Sequence, residues 1–229
     1  MKPILFTREN RDRTRTGHKT QTRRVLNPQP HAGIRRSPFV ASGYEDGHGC
    51  EIRIPYTIGD ILYLTEPYVI DAAEHTSKRQ VIGKYLDDGQ PFSVTLTSDE
   101  WDRFLARKQP YKPTSARFMY KSLARTCIQI TDLRLQPIQE ITEQDAIAEG
   151  IKEYIETLSP FQRARGALST SYYAGHFQML WDSINAARGH GWATNHTVLA
   201  ITYQLTGGPI PSPQSPVPSS THNKRLSDQ

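Results

Sequence analysis

The chain has 229 residues, of which 36% are hydrophobic and 22% charged, a composition typical of a globular protein on the polar side. That length supports one well-buried core, or at most two small ones. No run approaches the ~18 consecutive apolar residues of a membrane span, and the apolar stretch within residues 1–6 is too short for a signal peptide. We therefore expect a cytoplasmic protein without a membrane partner, in which Cys50 and Cys127 are reduced thiols.

Positive charge is concentrated at the N-terminus. The net charge of the whole chain is +5, yet residues 1–24 alone hold eight Lys and Arg residues against two acidic ones. Clustered arginine is typical of phosphate-binding proteins, because the guanidinium offers fork-shaped donors and its binding releases counterions. The alternative is a solvated basic arm. The candidate contacts to a nucleic-acid backbone are Arg11, Arg13, Arg15, Arg23 and Arg24.

The N-terminal half of the chain predicts one short helix and several β segments. Residues 7–16 favour a helix that lacks an apolar stripe, and the polar run 17–24 follows it. Residues 27–49 are rich in Pro, Gly and His, which indicates a long irregular loop. Alternating or continuous apolar residues predict β structure at 50–54, 61–64 and, more loosely, 79–96.

The C-terminal half carries clearer helix and strand signals. A capped short helix is expected after Ser98, and a helix over 141–150 has an N-cap threonine at its start and a glycine at its end. The longest helix is predicted near 172–187, because its apolar residues recur at i, i+3, i+4 and i+7. The remaining segments are a strand over 127–135, a strand over 197–203 and a Pro/Ser-rich tail, 207–229, which is expected to be disordered.

Familiar metal and cofactor motifs are absent from the sequence. The two cysteines stand 77 positions apart, and there is no C-x-x-C or H-E-x-x-H pattern. No glycine-rich turn lies between a strand and a helix, and no G-x-S-x-G elbow occurs. We expect no metal and no cofactor.

One segment of the basic region combines groups that can carry chemistry. Residues 17–24 read Gly-His-Lys-Thr-Gln-Thr-Arg-Arg. Such a segment can hold an anion, polarise a carbonyl or present a hydroxyl beside an amine, and a lysine whose pKa falls through burial or neighbouring Arg can act as a base. Lys19 and Thr22 would point to opposite sides of a strand but meet in a turn. A solvated basic loop is the alternative.

Four blocks, in chain order, resemble the ASCH superfamily of PUA-like proteins. Gly17-x-Lys19-x-x-Thr22-x-Arg24 is similar to its G-x-K-x-x-[ET]-x-R signature. Residues 58–66, 141–151 and 177–185 are similar to a G-D-x-L-W-V-x-E strand, an I-S-E-E-D-A-I-A-E-G-I helix and an F-x-x-L-W-D-S-I-N helix of phage and prophage members. The resemblance covers most of residues 1–205.

The resemblance implies an α+β fold with a small PUA-like β-barrel and peripheral helices. The domain would span residues 1–206, with insertions at about 27–49 and 70–115, and its ligand would be a nucleoside or RNA. Small ASCH proteins include bacterial amidohydrolases that deacetylate N4-acetylcytidine. Position by position, their catalytic residues fall on Lys19 as base, Thr22 as attacking hydroxyl and Glu149 as proton shuttle or orienter of the leaving amine.

This chain departs from the family pattern in several places. The helix before Gly17 carries arginines where an apolar face is usual, and Tyr63-Leu64-Thr65-Glu66 lacks the Arg of W-V-R-E. Three hypotheses therefore stand: an amidohydrolase acting on N4-acylated cytidine, a non-catalytic RNA or modified-base binding module of phage or prophage origin, and an accessory protein whose Pro-rich tail docks a protein partner. Five tyrosines are candidates for stacking on a nucleobase: Tyr44, Tyr56, Tyr63, Tyr68 and Tyr120. Any one of them is more often a half-buried core residue.

Overall fold

The computed structural model describes residues 1–74, 78–167 and 171–206, and these form an α+β protein. The tail 207–229, predicted to be disordered, lies outside the described residues. The strands are β1 (Lys2–Leu5), β2 (Gln21–Val25), β3 (Ile34–Arg36), β4 (Tyr44–Asp46), β5 (Ile61–Thr65), β6 (Tyr68–Glu74), β7 (Gln80–Tyr85), β8 (Pro91–Thr95), β9 (Cys127–Pro137) and β10 (Thr197–Leu205). The helices are α1 (Arg8–Arg15), α2 (Ser98–Leu105), α3 (Glu143–Ala148), α4 (Ile151–Glu156), α5 (Pro160–Gly166) and α6 (Tyr172–Asn185).

The main sheet has five strands in the order β1-β5-β9-β10-β2. β1 pairs with β5 in parallel, and the other neighbours are antiparallel. Thr22 of β2 lies opposite Ile201 of β10, which fixes the register of the strand that carries the basic motif. Apolar side chains from β5, β9 and β10, among them Leu62, Ile128 and Ile201, form its buried core with Ile4 and Phe6.

The predicted small β-barrel is wrong, because the sheets formed by the described residues are open and none of them closes on itself. β1 and β2 are the two edges of the main sheet, and no ladder joins them. A side chain stands between these edges instead: the Arg24 guanidinium donates to the carbonyl of Leu5 at 2.7 Å and lies 5.5 Å from the centre of the Phe6 ring. Pro3 in β1 also lacks the N–H that a ladder requires.

A second sheet, in the order β6-β7-β8, occupies much of the segment 70–115 that the resemblance indicates as an insertion. Its core includes Tyr68, Tyr85 and Phe92 and is completed by Phe104 of α2. The Tyr68 hydroxyl is buried there, which raises its pKa to about 12. The apolar cluster under this sheet also includes Tyr63 of β5 and Cys127 of β9, so it continues onto the main sheet.

The loop region before β5 differs from the prediction. Residues 27–49 contain the short hairpin of β3 and β4 rather than only irregular chain. Residues 50–54, predicted as a strand, form only an isolated bridge between Glu51 and Glu45. The β-rich patch 79–96 resolves into β7 and β8.

Helices α3 to α6 form a layer beside the end of the main sheet. Phe177 and Trp181 of α6 pack with Ile138, Ile151 and Val198 in a third apolar cluster. The helix predicted over 172–187 is therefore confirmed as α6, and its apolar stripe explains this packing.

Candidate functional site

The turn after α1 brings Lys19 into the interior. The N–H of Lys19 donates to the carbonyl of Arg13 at 3.0 Å, and the N–H of Thr20 donates to the carbonyl of Ala148 at 2.8 Å. These two bonds attach the turn to α1 on one side and to the end of α3 on the other. As a result the Lys19 side chain points inward and is only 3% exposed.

Lys19 and Glu149 form a buried ion pair although 130 positions separate them. The Lys19 ammonium donates to Glu149 Oε2 at 2.5 Å and to the backbone carbonyl of Glu149 at 2.9 Å. Glu149 is the C-cap residue of α3, so the end of that helix presents both acceptors. Burial lowers the pKa of the Lys19 ammonium, and the Glu149 carboxylate only partly opposes this shift.

Gly150 allows this close contact between the turn and α3. Its φ of +83° lies in the left-handed region that favours glycine. A Cβ at this position would stand 3.1 Å from Cδ of Arg13 and 3.4 Å from Cβ of Lys19. The glycine therefore both turns the chain from α3 into α4 and leaves room for Lys19.

Thr22 lies on β2 with its side chain at the same cavity as Lys19 and Glu149. It is buried, yet no residue in the described part of the chain hydrogen-bonds to its hydroxyl. An unpartnered hydroxyl at a cavity wall is free to bind or attack a ligand. The bend between Gly17 and β2 thus lets Lys19 and Thr22 line one cavity, whereas on a regular strand they would point to opposite sides.

Arg23 holds Glu149 from the opposite side to Lys19. Its guanidinium donates to Glu149 Oε1 at 3.1 Å and to Asp145 Oδ2 at 2.8 Å, and its side chain is fully buried. Asp145 also accepts from Arg134 at 2.8 Å. Burial opposes ionisation of Asp145, but the hydrogen bond from Arg134 and the charge of Arg23 hold the pKa of its carboxyl below the ordinary value. Asp145 was not among the residues that the sequence singled out.

The cavity beside these residues has a volume of about 440 Å³, within the range of small-molecule sites. One wall is the apolar stripe of α6, with Phe177, Leu180, Trp181 and Ile184. The other walls come from the β1–α1 connection and from β2. The stripe that the sequence predicts as core packing therefore serves partly as a cavity wall.

The structure does not bring the five candidate nucleic-acid-binding arginines together on one surface. Arg11 is buried and paired with Asp87 at 2.5 Å, and Arg15 reaches the fully buried Glu66 at 2.5 Å. Arg23 is buried in the site network. Arg24 is exposed and lines the cavity, while Arg13 is half-buried against Gly150.

The tyrosines proposed for stacking are mostly core residues. Tyr44, Tyr63, Tyr68 and Tyr120 are buried, and only Tyr56 is half-buried near the cavity. No helix within the described ranges is long and apolar enough to cross a membrane. The same residues contain no group of three or more His, Cys, Asp or Glu side chains placed to hold a metal ion.

Comparison with known proteins gives little further information. No family model matches the chain, and no curated protein matches it. One similar solved structure is that of protein EF3133 from Enterococcus faecalis V583, described as family DUF984. It is 11% identical, with 90% of this chain and 82% of that chain covered and a TM-score of 0.38. A similarity this weak carries no inference about function.

Proposed function

We propose that this protein is an ASCH-type amidohydrolase that hydrolyses an N4-acyl group from cytidine, with the cytosine ring of the substrate bound in the cavity beside Lys19. One observation carries the proposal. The three residues that the resemblance assigns to catalysis, Lys19, Thr22 and Glu149, border one cavity although two of them are 130 positions apart. A structural role alone does not explain why the Thr22 hydroxyl is left without a partner among the described residues.

The buried pair can supply both proton transfers of the reaction. Burial lowers the pKa of the Lys19 ammonium, and the 2.5 Å hydrogen bond to Glu149 Oε2 is the path along which its proton passes to the carboxylate. In the neutral state, the Lys19 amine accepts the proton of Thr22 as Thr22 Oγ1 attacks the acyl carbonyl. The Glu149 carboxyl then donates its proton to the departing N4 nitrogen.

The second half of the reaction returns the pair to its starting state. After acylation, Thr22 carries the acyl group as an ester, and Lys19 and Glu149 are both charged. A water molecule attacks the ester while the Glu149 carboxylate takes its proton, and Lys19 returns a proton to Thr22 Oγ1 as the carboxylic acid leaves. Arg23 stays bonded to Glu149 and Asp145, so it orients the carboxylate and transfers no proton.

A hydrolysis assay on a panel of N4-acylated cytidines tests the proposal. Thr22→Val keeps the shape of the side chain and removes the hydroxyl, so we expect turnover to fall by at least ~10³-fold. Lys19→Ala is expected to have a similar effect. Thr20→Val is the matched control, because Thr20 lies two residues away and does not line the cavity. Equal activity of Thr22→Val and Thr20→Val would remove Thr22 from the mechanism.

The second candidate is a non-catalytic pocket for RNA or a modified base. The observation that favours it is the charge pairing of Lys19, Glu149 and Arg23, in which each charged group has an oppositely charged partner, as in a purely structural ion pair. This alternative predicts that the folded protein binds N4-acetylcytidine or a cytidine-containing oligonucleotide without turnover. Calorimetric binding without product formation would therefore favour the second candidate.

A further inference from the structure

A second opening lies beside the main cavity, between the edge strands β1 and β2. This groove has a volume of about 330 Å³. It shares four of its residues with the main cavity: Leu5, Arg24, Val25 and Asn27. The two are therefore adjacent parts of one cleft, with Arg24 at their junction.

The groove is positively charged and has an unpaired guanidinium. Arg53 is exposed, and it makes no hydrogen bond or ion pair with any residue in the described ranges. Arg24 donates to the carbonyl of Leu5 and forms no ion pair in that part of the chain, and the carboxylate that acts on its charge is Glu149 in the adjacent main cavity. No acidic side chain lines the groove as described. A site of this kind attracts an anionic group.

The remainder of the groove is apolar and aromatic. Ile4 and Leu199 come from the main core, and the half-buried Tyr56 contributes its ring. Arginines beside an aromatic ring are the combination by which proteins bind single-stranded nucleic acid, with the cations at the backbone and the ring at a base. A peptide strand added to the edges of β1 and β2 would have no need of an unpaired arginine.

We propose that this groove binds the phosphate and the adjoining nucleotide of a single-stranded polynucleotide whose target base occupies the main cavity. Arg53 contacts the phosphate, and Arg24 lies between the two nucleotides. The identity of the base rests on the proposed function, whereas the groove and its charge do not. A polynucleotide thus makes contacts in the groove that a free nucleoside lacks, so the cleft binds the polymer more tightly.

Fluorescence anisotropy with a labelled single-stranded hexacytidylate tests this assignment. We expect Arg53→Gln to weaken binding about three- to tenfold and to reduce the dependence of log K on log salt by about one. Arg117→Gln is the matched control, because Arg117 is also exposed and lies outside both parts of the cleft. It should leave the affinity for the hexamer unchanged.

Three results would overturn the groove assignment: no binding of the hexamer, equal effects of Arg53→Gln and Arg117→Gln, or competition by cytidine 5′-monophosphate as strong as by unlabelled hexamer. The last would show a site for a lone phosphate. Arg53-dependent binding of the hexamer without hydrolysis of any N4-acylated cytidine would instead support the groove and contradict the proposed function. Hydrolysis of an N4-acylated cytidine, together with binding of the hexamer that does not depend on Arg53, would support the proposed function and contradict the groove assignment.

Discussion

Buried charge at the site is balanced residue by residue. Lys19 faces Glu149, Glu149 also faces Arg23, and Arg23 reaches Asp145. Desolvation of each group is costly, and removal of one partner leaves the next uncompensated. Such an arrangement contributes little net stability for its size. Its value lies in holding a lysine of lowered pKa and a carboxylate at fixed positions beside a free hydroxyl.

The lowered pKa of the Asp145 carboxyl predicts that the folded protein loses stability in acid. Because the pKa of Asp145 is lower in the folded chain than its ordinary value of 3.8, its contribution to stability is complete above that value and is lost as the pH falls through the lower, folded value. Asp145→Asn should lower the free energy of unfolding at pH 7 by about 1.5–3 kcal/mol. It should also flatten the pH dependence of stability below about pH 4. Urea unfolding across that range measures both effects.

Asp132→Asn is the control for that measurement. Asp132 pairs with the same Arg134 at 3.2 Å, but its side chain is 48% exposed. We expect its substitution to change stability by less than ~0.5 kcal/mol, because exposed ion pairs contribute little. Equal pH profiles for the two variants would contradict the assignment to Asp145.

At the scale of elements, α3 is the helix that delivers Glu149. Its N-cap Thr142 accepts from the N–H of Asp145 at 3.1 Å, and the Asp145 carboxylate lies 3.5 Å from the N–H of Thr142. The capping box therefore includes the carboxylate that holds Arg23. Any loosening of the start of α3 is expected to reach the network around Glu149.

A comparison of Thr142→Ala with Thr97→Ala distinguishes the effect of a lost N-cap on stability from its effect on activity. Thr97 caps α2 in a second capping box with Glu100, outside the cleft. Each substitution should cost about 1 kcal/mol, because each removes an N-cap hydroxyl. Only Thr142→Ala should also weaken binding or turnover of N4-acetylcytidine, by several-fold. Denaturant unfolding combined with the hydrolysis assay distinguishes the two variants, and equal losses of activity would contradict the link from the cap to the site.

Local sequence signals identify some of these elements and miss others. β5, β9 and β10 are confirmed because their apolar residues are buried within the main sheet, and α3 is confirmed because its cap and final glycine are encoded nearby. β2 is missed because Gln21, Thr22 and Arg23 are polar yet buried. Gln21 and Arg23 are buried against Asp145 and Glu149, which are distant in the sequence, so nothing within the segment indicates their burial.

At the scale of the whole molecule, α1 joins the two sheets through polar contacts. Arg11 donates to Asp87 in the turn between β7 and β8, and also to the carbonyl of Thr65 at 3.2 Å. Arg15 reaches Glu66, which also binds Arg125 at 2.5 Å. The sequence shows only a helix without an apolar face. The structure explains how that helix is held, because its buried side chains, Arg11 and Thr14, are polar and find partners on both sides.

The ion pair between Arg11 of α1 and Asp87 predicts that Arg11 stabilises the folded protein. Arg11→Met leaves the Asp87 carboxylate, whose side chain is only 9% exposed, without its cation, so we expect a loss of about 3–5 kcal/mol in the free energy of unfolding. Arg8→Met is the control: Arg8 is on the same helix, its side chain is 60% exposed, and it lies 3.9 Å from Asp12. Guanidinium unfolding should show a change below ~0.5 kcal/mol for the control. A large loss of hexacytidylate affinity in folded Arg11→Met would instead indicate a direct contact with nucleic acid.

The gap between β1 and β2 is a region in which side chains can be exchanged without a change in the pairing of the sheet. In a closed ladder, the distance between neighbouring strands is fixed near ~4.8 Å, and a slip of one residue reverses the faces of every side chain. Here one arginine, Arg24, spans the gap and bonds to a single carbonyl. Exchange of that one side chain can widen, divide or merge the two parts of the cleft without breaking a backbone hydrogen bond. Substitution of Arg24 is therefore expected to change the size of the ligand that the cleft accepts while the strand register stays the same.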